Sequence, residues 1–237
     1  MLRSSAVSQF SRCVSHGGVR WSLFVGFVAA LLAGPVSAFE KVKNEQPRPD
    51  PWIVNGCEIK PKTVCRHVDL RHADLHKADL RGADLRGANM ARAKLRHANL
   101  KGANLSGANL DGADLVIGFL HGAKFVEASL RGANLSFSRA LGANFTGADL
   151  TAANLEMARA SKANFERALL NNADLQETKL YNTNLAHAVL DGAKMRFTIF
   201  QDAVMDGCLG CPHTWQTNEP VWEFEAKDRA GRETKTQ

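Results

Sequence analysis

The chain has 237 residues and a formal net charge of +6, from 30 Lys and Arg against 24 Asp and Glu. Its length allows one domain with appended segments, and its 45% hydrophobic content is ordinary for a folded domain. The charge excludes a strongly acidic protein, while 5 cysteines leave both structural and chemical roles open for the thiols.

The N-terminal segment 1–38 has the composition of a targeting sequence. It contains three arginines and no acidic residue, and an apolar run from Leu23 to Ala33 is followed by Val36-Ser37-Ala38. Small residues at −3 and −1 after a short apolar run indicate a signal peptide that is cut after Ala38, and the run is short for a membrane span. A periplasmic or secreted protein is therefore predicted. The long, Ser-rich start leaves an organelle transit segment or an uncleaved signal anchor as alternatives.

Residues 39–67 are expected to form a linker and an N-terminal cap. Pro47, Pro49 and Pro51 within a charged stretch favour an exposed linker. Apolar residues begin again at Trp52, and we expect residues 52–65 to cover the open end of the repeat that follows, because an uncovered end exposes core and unpaired backbone to water.

Residues 68–207 repeat with a period of five. Every fifth position from Leu70 to Met205 is Leu, Met or Phe in 28 consecutive pentads, apart from Ala140 and Ala160. Ala stands two residues earlier in 22 pentads, and Asp or Asn lies between the two in 16. A step of five turns ~140° past a full turn on an α-helix and alternates between the faces of a strand. The large side chains share one interior only if the chain bends once per pentad, which indicates a solenoid.

The A-(D/N)-L-x-x pattern resembles that of the pentapeptide-repeat proteins, over about three-fifths of the chain. The resemblance implies an all-β fold, a right-handed quadrilateral β-helix with four pentads per coil. The 28 pentads then make about seven coils, and a rod ~30 Å long at the inter-strand spacing.

Four pentads per coil would stack residues that are 20 apart. One interior column then contains Phe125, Phe145 and Phe165, and the neighbouring column contains both Ala140 and Ala160. Small residues beside large ones conserve interior volume, so this agreement supports the 20-residue coil independently of the resemblance. A filled lumen offers no pocket of ligand size, and no acid–base pair or nucleophile relay converges. Neither enzymatic activity nor a cofactor is predicted.

The cysteines outside the predicted signal fall in two pairs, one at each end of the rod. A disulfide needs Cα atoms within ~7 Å, so the rod allows only Cys57–Cys65 and Cys208–Cys211. These bonds would fix the caps in an oxidising compartment. A metal- or redox-binding module that uses Cys and His residues is the alternative. Its histidines would be His67, His72, His76 and His97.

Positive charge is concentrated in the first coils. From Arg66 to Lys101 the chain has nine Lys or Arg against four Asp. We name this region the basic pole, and its main residues are Arg71, Lys77, Arg81, Arg86, Arg92 and Arg96. It is either a solvated face that keeps the rod soluble or a contact site for an anionic envelope component, such as a polymer or lipid headgroups.

Apolar residues at outward positions are informative, because such positions in a solenoid are otherwise polar. Stacking by one coil places an apolar ridge beside a basic ladder, and contiguous exposed apolar groups often mark an interaction surface. The ridge consists of Ile117, Phe137, Met157 and Phe197, with Phe119 beside it, and the ladder consists of Arg139, Arg159 and Lys179. A protein partner or a homodimer contact is predicted here. A local bulge at 116–119, or side chains that only cover a corner, would explain the ridge without a partner.

Residues 208–237 are expected to form a C-terminal cap and a disordered tail. Trp215, Trp222 and Phe224 would cover the last coil, and the polar end from Lys227 follows them.

The sequence thus predicts a non-enzymatic, exported scaffold that binds a protein or an anionic envelope component through its outer faces. Some pentapeptide-repeat proteins are said to mimic DNA and to bind gyrase through a strongly acidic rod. The resemblance therefore leaves a cytoplasmic topoisomerase regulator as an alternative. The basic first coils and the positive net charge depart from that pattern, and neither nucleic acid nor a small-molecule substrate is a predicted partner.

Overall fold

The structure, a computed structural model, describes residues 48–212. This part of the chain begins with a two-stranded hairpin and continues as a long ladder of parallel β-bridges, with no α-helix in the described range. Accordingly, residues 48–212 include no helix that is long and apolar enough to cross a membrane. The all-β fold class expected from the repeat is confirmed.

The hairpin joins strands β1 (Ile53–Val54) and β2 (Cys57–Glu58), which pair antiparallel. Its turn residues Asn55 and Gly56 have φ of 48° and 78°, and a two-residue turn with positive φ at both positions suits Asn-Gly. Cys57 is buried in the core, and Trp52 packs against that core. The hairpin segment thus contacts the hydrophobic core of the solenoid.

The ladder has one register throughout. Every bridge is parallel and joins residues 20 apart, from Val64–Asp84 to Val189–Leu209. The 20-residue stacking inferred from the phenylalanines and alanines is therefore confirmed. Backbone pairing starts earlier than Val68, because the N–H of Lys62 already donates to the carbonyl oxygen of Arg81 at 2.7 Å. The solenoid thus begins within the segment that was expected to be cap.

The interior contains the side chains of every fifth position, almost all fully buried. The rings of Phe125, Phe145 and Phe165 stack with centroids 4.9 Å apart and planes within 5° of parallel. Ala140 and Ala160 are buried in the adjacent column. Each fully buried Leu or Phe stabilises the fold by ~1.5–3 kcal/mol, so the core is distributed evenly along the rod.

Each pentad turns at the two residues that follow its interior side chain. The side chain between the small and the large residue often holds this turn: Asn104 Oδ1 accepts hydrogen bonds from the N–H and the hydroxyl of Ser106, at 3.1 and 2.7 Å. The second turn residue has a positive φ, between 53° and 71°, in every pentad from His72 to Gly207. Only 11 of these 28 residues are glycine, so residues with a Cβ often adopt this conformation here.

Candidate interaction surface

The corner residues with positive φ fall into four columns when they are stacked 20 apart. Three columns contain glycine together with polar or small residues, whereas one column contains no glycine at all. In order along the rod, that column is Lys77, His97, Ile117, Phe137, Met157, Glu177 and Phe197. Every bulky apolar corner residue of the repeat lies in it. The ridge predicted from the sequence is therefore a single corner of the solenoid.

These bulky residues adopt a backbone conformation that disfavours them. Ile117, Phe137, Met157 and Phe197 have φ of 57°, 58°, 55° and 59°. The left-handed region costs an L-residue with a Cβ about 1–2 kcal/mol, and a β-branched residue such as Ile is a genuine outlier there. Fold stability alone would favour Gly or Asn at this corner. The other columns also place residues with a Cβ at positive φ, but those residues are polar or small. Bulky apolar residues distinguish this column, and the stability of the rod does not explain them.

The ridge side chains project to different extents. Phe137 is 49% exposed and Met157 37%, while Ile117 is half-buried. Glu177 stands between Met157 and the exposed Phe197, so the contiguous ridge extends from residue 117 to residue 157. Sequence reasoning missed Leu141, which is 46% exposed and lies two residues after Arg139. A comparison of the first turn residue of each pentad, stacked 20 residues apart, would have found it.

Residues 116–119 keep the register of the ladder. The N–H of Ile117 donates to the carbonyl oxygen of Ser136 at 3.1 Å, and Phe119 bridges to Arg139. A Cβ on Gly118 would lie 2.8 Å from the carbonyl oxygen of Leu115, so a larger residue here would require a local shift of the backbone. Val116 is buried and does not contribute to the exposed surface. The structure therefore has no bulge here to explain the ridge.

The basic ladder runs beside the ridge. Arg139, Arg159 and Lys179 are exposed and bridge one to the next, at the position where most pentads have Asp or Asn. Arg139 also lies over the ring of Phe119, with its guanidinium carbon 5.2 Å from the ring centroid, a cation–π contact. Within residues 48–212 none of the three cations has an ion-pair partner. Like charges one coil apart, ~4.8 Å along the rod, repel each other.

Arginines of the basic pole are paired within the pole itself. Arg71 contacts Asp69 at 2.6 Å, and Arg81 contacts Asp79 at 2.6 Å. Each of these arginines follows its aspartate by two residues, so both side chains leave the same turn. Hydrogen bonding from Arg71 lowers the pKa of Asp69 to about 2, and Arg81 lowers the pKa of Asp79 in the same way. These carboxylates remain charged, so each cancels the charge of its arginine.

Asp84 forms ion pairs with two arginines of the pole. Arg86 lies 2.8 Å away and Arg66 2.7 Å away, and their hydrogen bonds hold the pKa of Asp84 far below its ordinary value. Arg96 is 3.5 Å from Asp114. The first coils are therefore rich in cations by count, but much of their charge is neutralised locally.

The alternative metal and redox sites have little geometric support. His76 and His97 meet edge to face with ring centroids 5.6 Å apart, yet residues 48–212 bring no three His, Cys, Asp or Glu side chains close enough together to hold a metal ion. The Cα atoms are 5.6 Å apart in Cys57–Cys65 and 5.8 Å apart in Cys208–Cys211. Both predicted pairs are thus close in space.

Several sequence predictions fall outside the described residues. They are the signal segment 1–38, most of the linker, and the tail with Trp215, Trp222 and Phe224.

The chain was compared with family models, curated proteins and solved structures. The family model for pentapeptide repeats matches residues 61–87, 88–126, 128–167 and 168–207. The search of curated proteins gave no match.

Solved structures with a similar backbone include HetL, a pentapeptide repeat protein involved in heterocyst differentiation regulation from Nostoc sp. PCC 7120. It is 26% identical over 63% of this chain and 88% of its own, with a TM-score of 0.36. A pentapeptide repeat protein from the Arabidopsis thaliana thylakoid lumen is 33% identical over 41% of this chain and 68% of its own, with a TM-score of 0.23. Full-length QnrB1, a plasmid-mediated fluoroquinolone resistance protein, is 17% identical over 62% of this chain and 84% of its own, with a TM-score of 0.42.

Proposed function

The chain belongs to the pentapeptide-repeat family and is a right-handed β-helix, and from that premise we propose that it is a non-enzymatic scaffold that binds another protein through the ridge and the basic ladder. The observation that carries the proposal is the glycine-free corner column. Ile117, Phe137 and Met157 stand at positive φ, where they oppose fold stability. Residues that destabilise a fold are retained most readily where they contact a partner.

The chemistry of this surface restricts the partner. The exposed Phe137 and Met157 offer apolar area that binding would remove from water, while Arg139, Arg159 and Lys179 attract negative charge. A partner segment that combines apolar anchors with carboxylates fits both features. A homodimer formed ridge to ridge would bring two basic ladders together, so like-charge repulsion disfavours it.

We propose a four-sided cross-section with about seven coils, which the 20-residue register and the five-residue turns support. We also propose that both cysteine pairs are disulfides and that the protein is exported after cleavage near Ala38. The close Cα atoms in each pair support the first of these proposals, and the composition of residues 1–38 supports the second. Mass spectrometry of the mature protein without reduction tests both: a start at Phe39 and no free thiol are expected.

The interaction is tested by affinity capture with the mature protein and two variants. Phe137→Glu places a charge on the ridge, whereas Leu169→Glu, at another outward apolar position, is 39% exposed in the native chain and serves as the matched control. We expect the same partner with the native protein and the control, and its loss with Phe137→Glu. A partner that all three proteins capture equally would refute the ridge as the interface, and sedimentation of the same variants would detect self-association.

The topoisomerase regulator and the metal or redox module remain predictions without a favouring observation. A mimic of DNA needs exposed negative charge, whereas the ladder displays positive charge. A supercoiling assay with gyrase tests the first alternative, and metal titration of the full chain tests the second.

A further inference from the structure

One segment of the chain has a composition that complements the ridge and the basic ladder. After Pro212 the sequence continues with Glu219-Pro-Val-Trp-Glu-Phe-Glu225, which alternates aromatic and acidic residues. Residues 213–226 contain three Glu and no Lys or Arg. We propose that the segment 219–225 docks on the ridge and the basic ladder of its own chain and competes there with outside partners; the competition, though not the docking, rests on the proposed function.

The segment can reach two exposed apolar areas, the C-terminal end of the solenoid and the ridge, and the charges beside them distinguish the two. The last coil exposes Leu209 (59%) and Val204, but its charges balance: Lys194 and Arg196 stand against Asp202 and Asp206, and Lys194 also lies 3.5 Å from Asp174. An acidic segment is therefore attracted more strongly to the three cations of the ladder than to that end of the solenoid.

The ridge has its own carboxylates, which limit where the segment fits. Glu177 interrupts the ridge after Met157, and Glu156 lies one residue before Met157. Arg139, Arg159 and Lys179, which bridge one to the next, outnumber these two acids. The binding area with the most favourable charge is therefore around Phe137 and Arg139, on the N-terminal side of Glu177.

The chain is long enough to place the segment there. Pro212 and Phe137 are separated by just under four of the 20-residue steps of the ladder, which is ~18 Å along the rod at the inter-strand spacing. Residues 213–221 span up to ~30 Å when extended, which leaves length for crossing one side of the solenoid. Trp222 and Phe224 then reach Phe137, while Glu223 and Glu225 lie beside the ladder.

Hydrogen exchange of the full mature chain measures this docking directly. The segment 219–227 should exchange slowly in the native protein, and Phe137→Asn should accelerate its exchange about tenfold, because the apolar contact is lost while Asn tolerates the positive φ. Leu169→Asn is the matched control and should leave the exchange of this segment unchanged.

A charge swap in the same assay tests the electrostatic part. Glu223→Lys with Glu225→Lys should accelerate the exchange of the segment, and so should Arg139→Glu with Arg159→Glu. The four changes combined should restore slow exchange, since opposite charges face each other again. Added salt should accelerate exchange in the native protein and in the fourfold variant alike.

Three results would overturn the inference. The first is exchange of residues 219–227 that is fast in the native protein. The second is acceleration by Val204→Asn and Leu209→Asn but not by Phe137→Asn, which would place the tail on the end of the solenoid. The third is protection that grows with protein concentration, which would place it on another copy. None of these results removes the partner proposed above, because affinity capture with Phe137→Glu tests that partner separately.

Discussion

The basic pole and the basic ladder are two cationic regions of the same solenoid. They differ in the position that the cation occupies within the pentad. In the pole, Arg71 and Arg81 occupy the first turn position, two residues after an aspartate that binds them. In the ladder, Arg139 and Arg159 occupy the aspartate position themselves. Several arginines of the pole are therefore neutralised from within, whereas the cations of the ladder keep their charge. The number of cations in a segment does not tell how much charge a partner meets.

The comparison of the pole with the ladder assumes the 20-residue register. A substitution in the interior tests that register and has the largest expected effect on stability. Ala140→Leu inserts a large side chain beside Phe125, Phe145 and Phe165, where volume is already filled, and should lower the free energy of unfolding by ~1–3 kcal/mol. Urea denaturation measures the change. Ala91→Leu, at a turn position, is the control and should have little effect. If Ala140→Leu left the urea midpoint unchanged, the columns that define ridge and ladder would be wrong.

The second-largest expected effect on stability comes from the backbone strain of the ridge, which lies beside the ladder. Phe137→Gly removes a Cβ at positive φ and should raise the free energy of unfolding by ~0.5–1 kcal/mol, while partner binding is lost. Ala152→Gly, at a φ of 57° in another corner column, should also stabilise but leave binding intact. Urea denaturation and affinity capture of both variants separate strain from recognition. Destabilisation by Phe137→Gly would mean that the contacts of the ring, with the rod or with the segment 219–225, outweigh the backbone strain.

A smaller effect separates the two charged regions by their response to salt. In a chain with Glu223→Gln and Glu225→Gln, which removes the carboxylates proposed to face the ladder, Arg159→Gln relieves repulsion and should stabilise the rod by a few tenths of a kcal/mol. Arg71→Gln breaks an exposed pair and should destabilise it by a similar amount. Both differences should shrink between ~0.1 and ~1 M salt, because screening weakens attraction and repulsion alike. Thermal unfolding at the two salt concentrations measures them. Equal signs for the two variants would contradict the distinction.

The smallest expected effect is the loss of stabilisation from an ion pair of the pole at low pH. The pKa of Asp69 is lowered from 3.8 to about 2 by Arg71, so the stabilisation from this pair is complete above the ordinary pKa and is lost as the pH falls towards 2. A side-chain carboxyl NMR titration should show the low pKa in the native protein. Arg71→Gln should return it towards 3.8. A native Asp69 that titrates normally would show that the pole is not neutralised by its own aspartates.

The period of five predicted most of the fold, because each pentad has the same role wherever it stands. The stacked phenylalanines beside Ala140 and Ala160 even revealed the coil length. The start of the ladder was less predictable: Lys62 already pairs with Arg81, although its pentad lacks the apolar pattern, since backbone hydrogen bonds do not require a particular side chain.

The candidate surface was only partly visible in the sequence. Stacking by one coil identified Phe137, Met157 and the ladder, because a large apolar residue at an outward position stands out. The positive φ of the whole column, and its cost for Ile117, emerged only from the backbone. Ion pairing in the pole was missed because a count of cations ignores that Asp69 and Arg71 leave the same turn.

The uniform ladder also constrains how the length of such a protein can change. Because every bridge of the ladder joins backbone exactly one coil apart, duplication of a whole coil, such as positions 94–113, would lengthen the molecule and keep every face aligned. Duplication of a single pentad between Ile117 and Met157 would preserve the filled interior but rotate everything beyond it by one side, and so separate Phe137 from a neighbour on the surface. Among relatives that retain this surface, insertions within it should therefore comprise whole coils, and insertions of one, two or three pentads within it should accompany its loss.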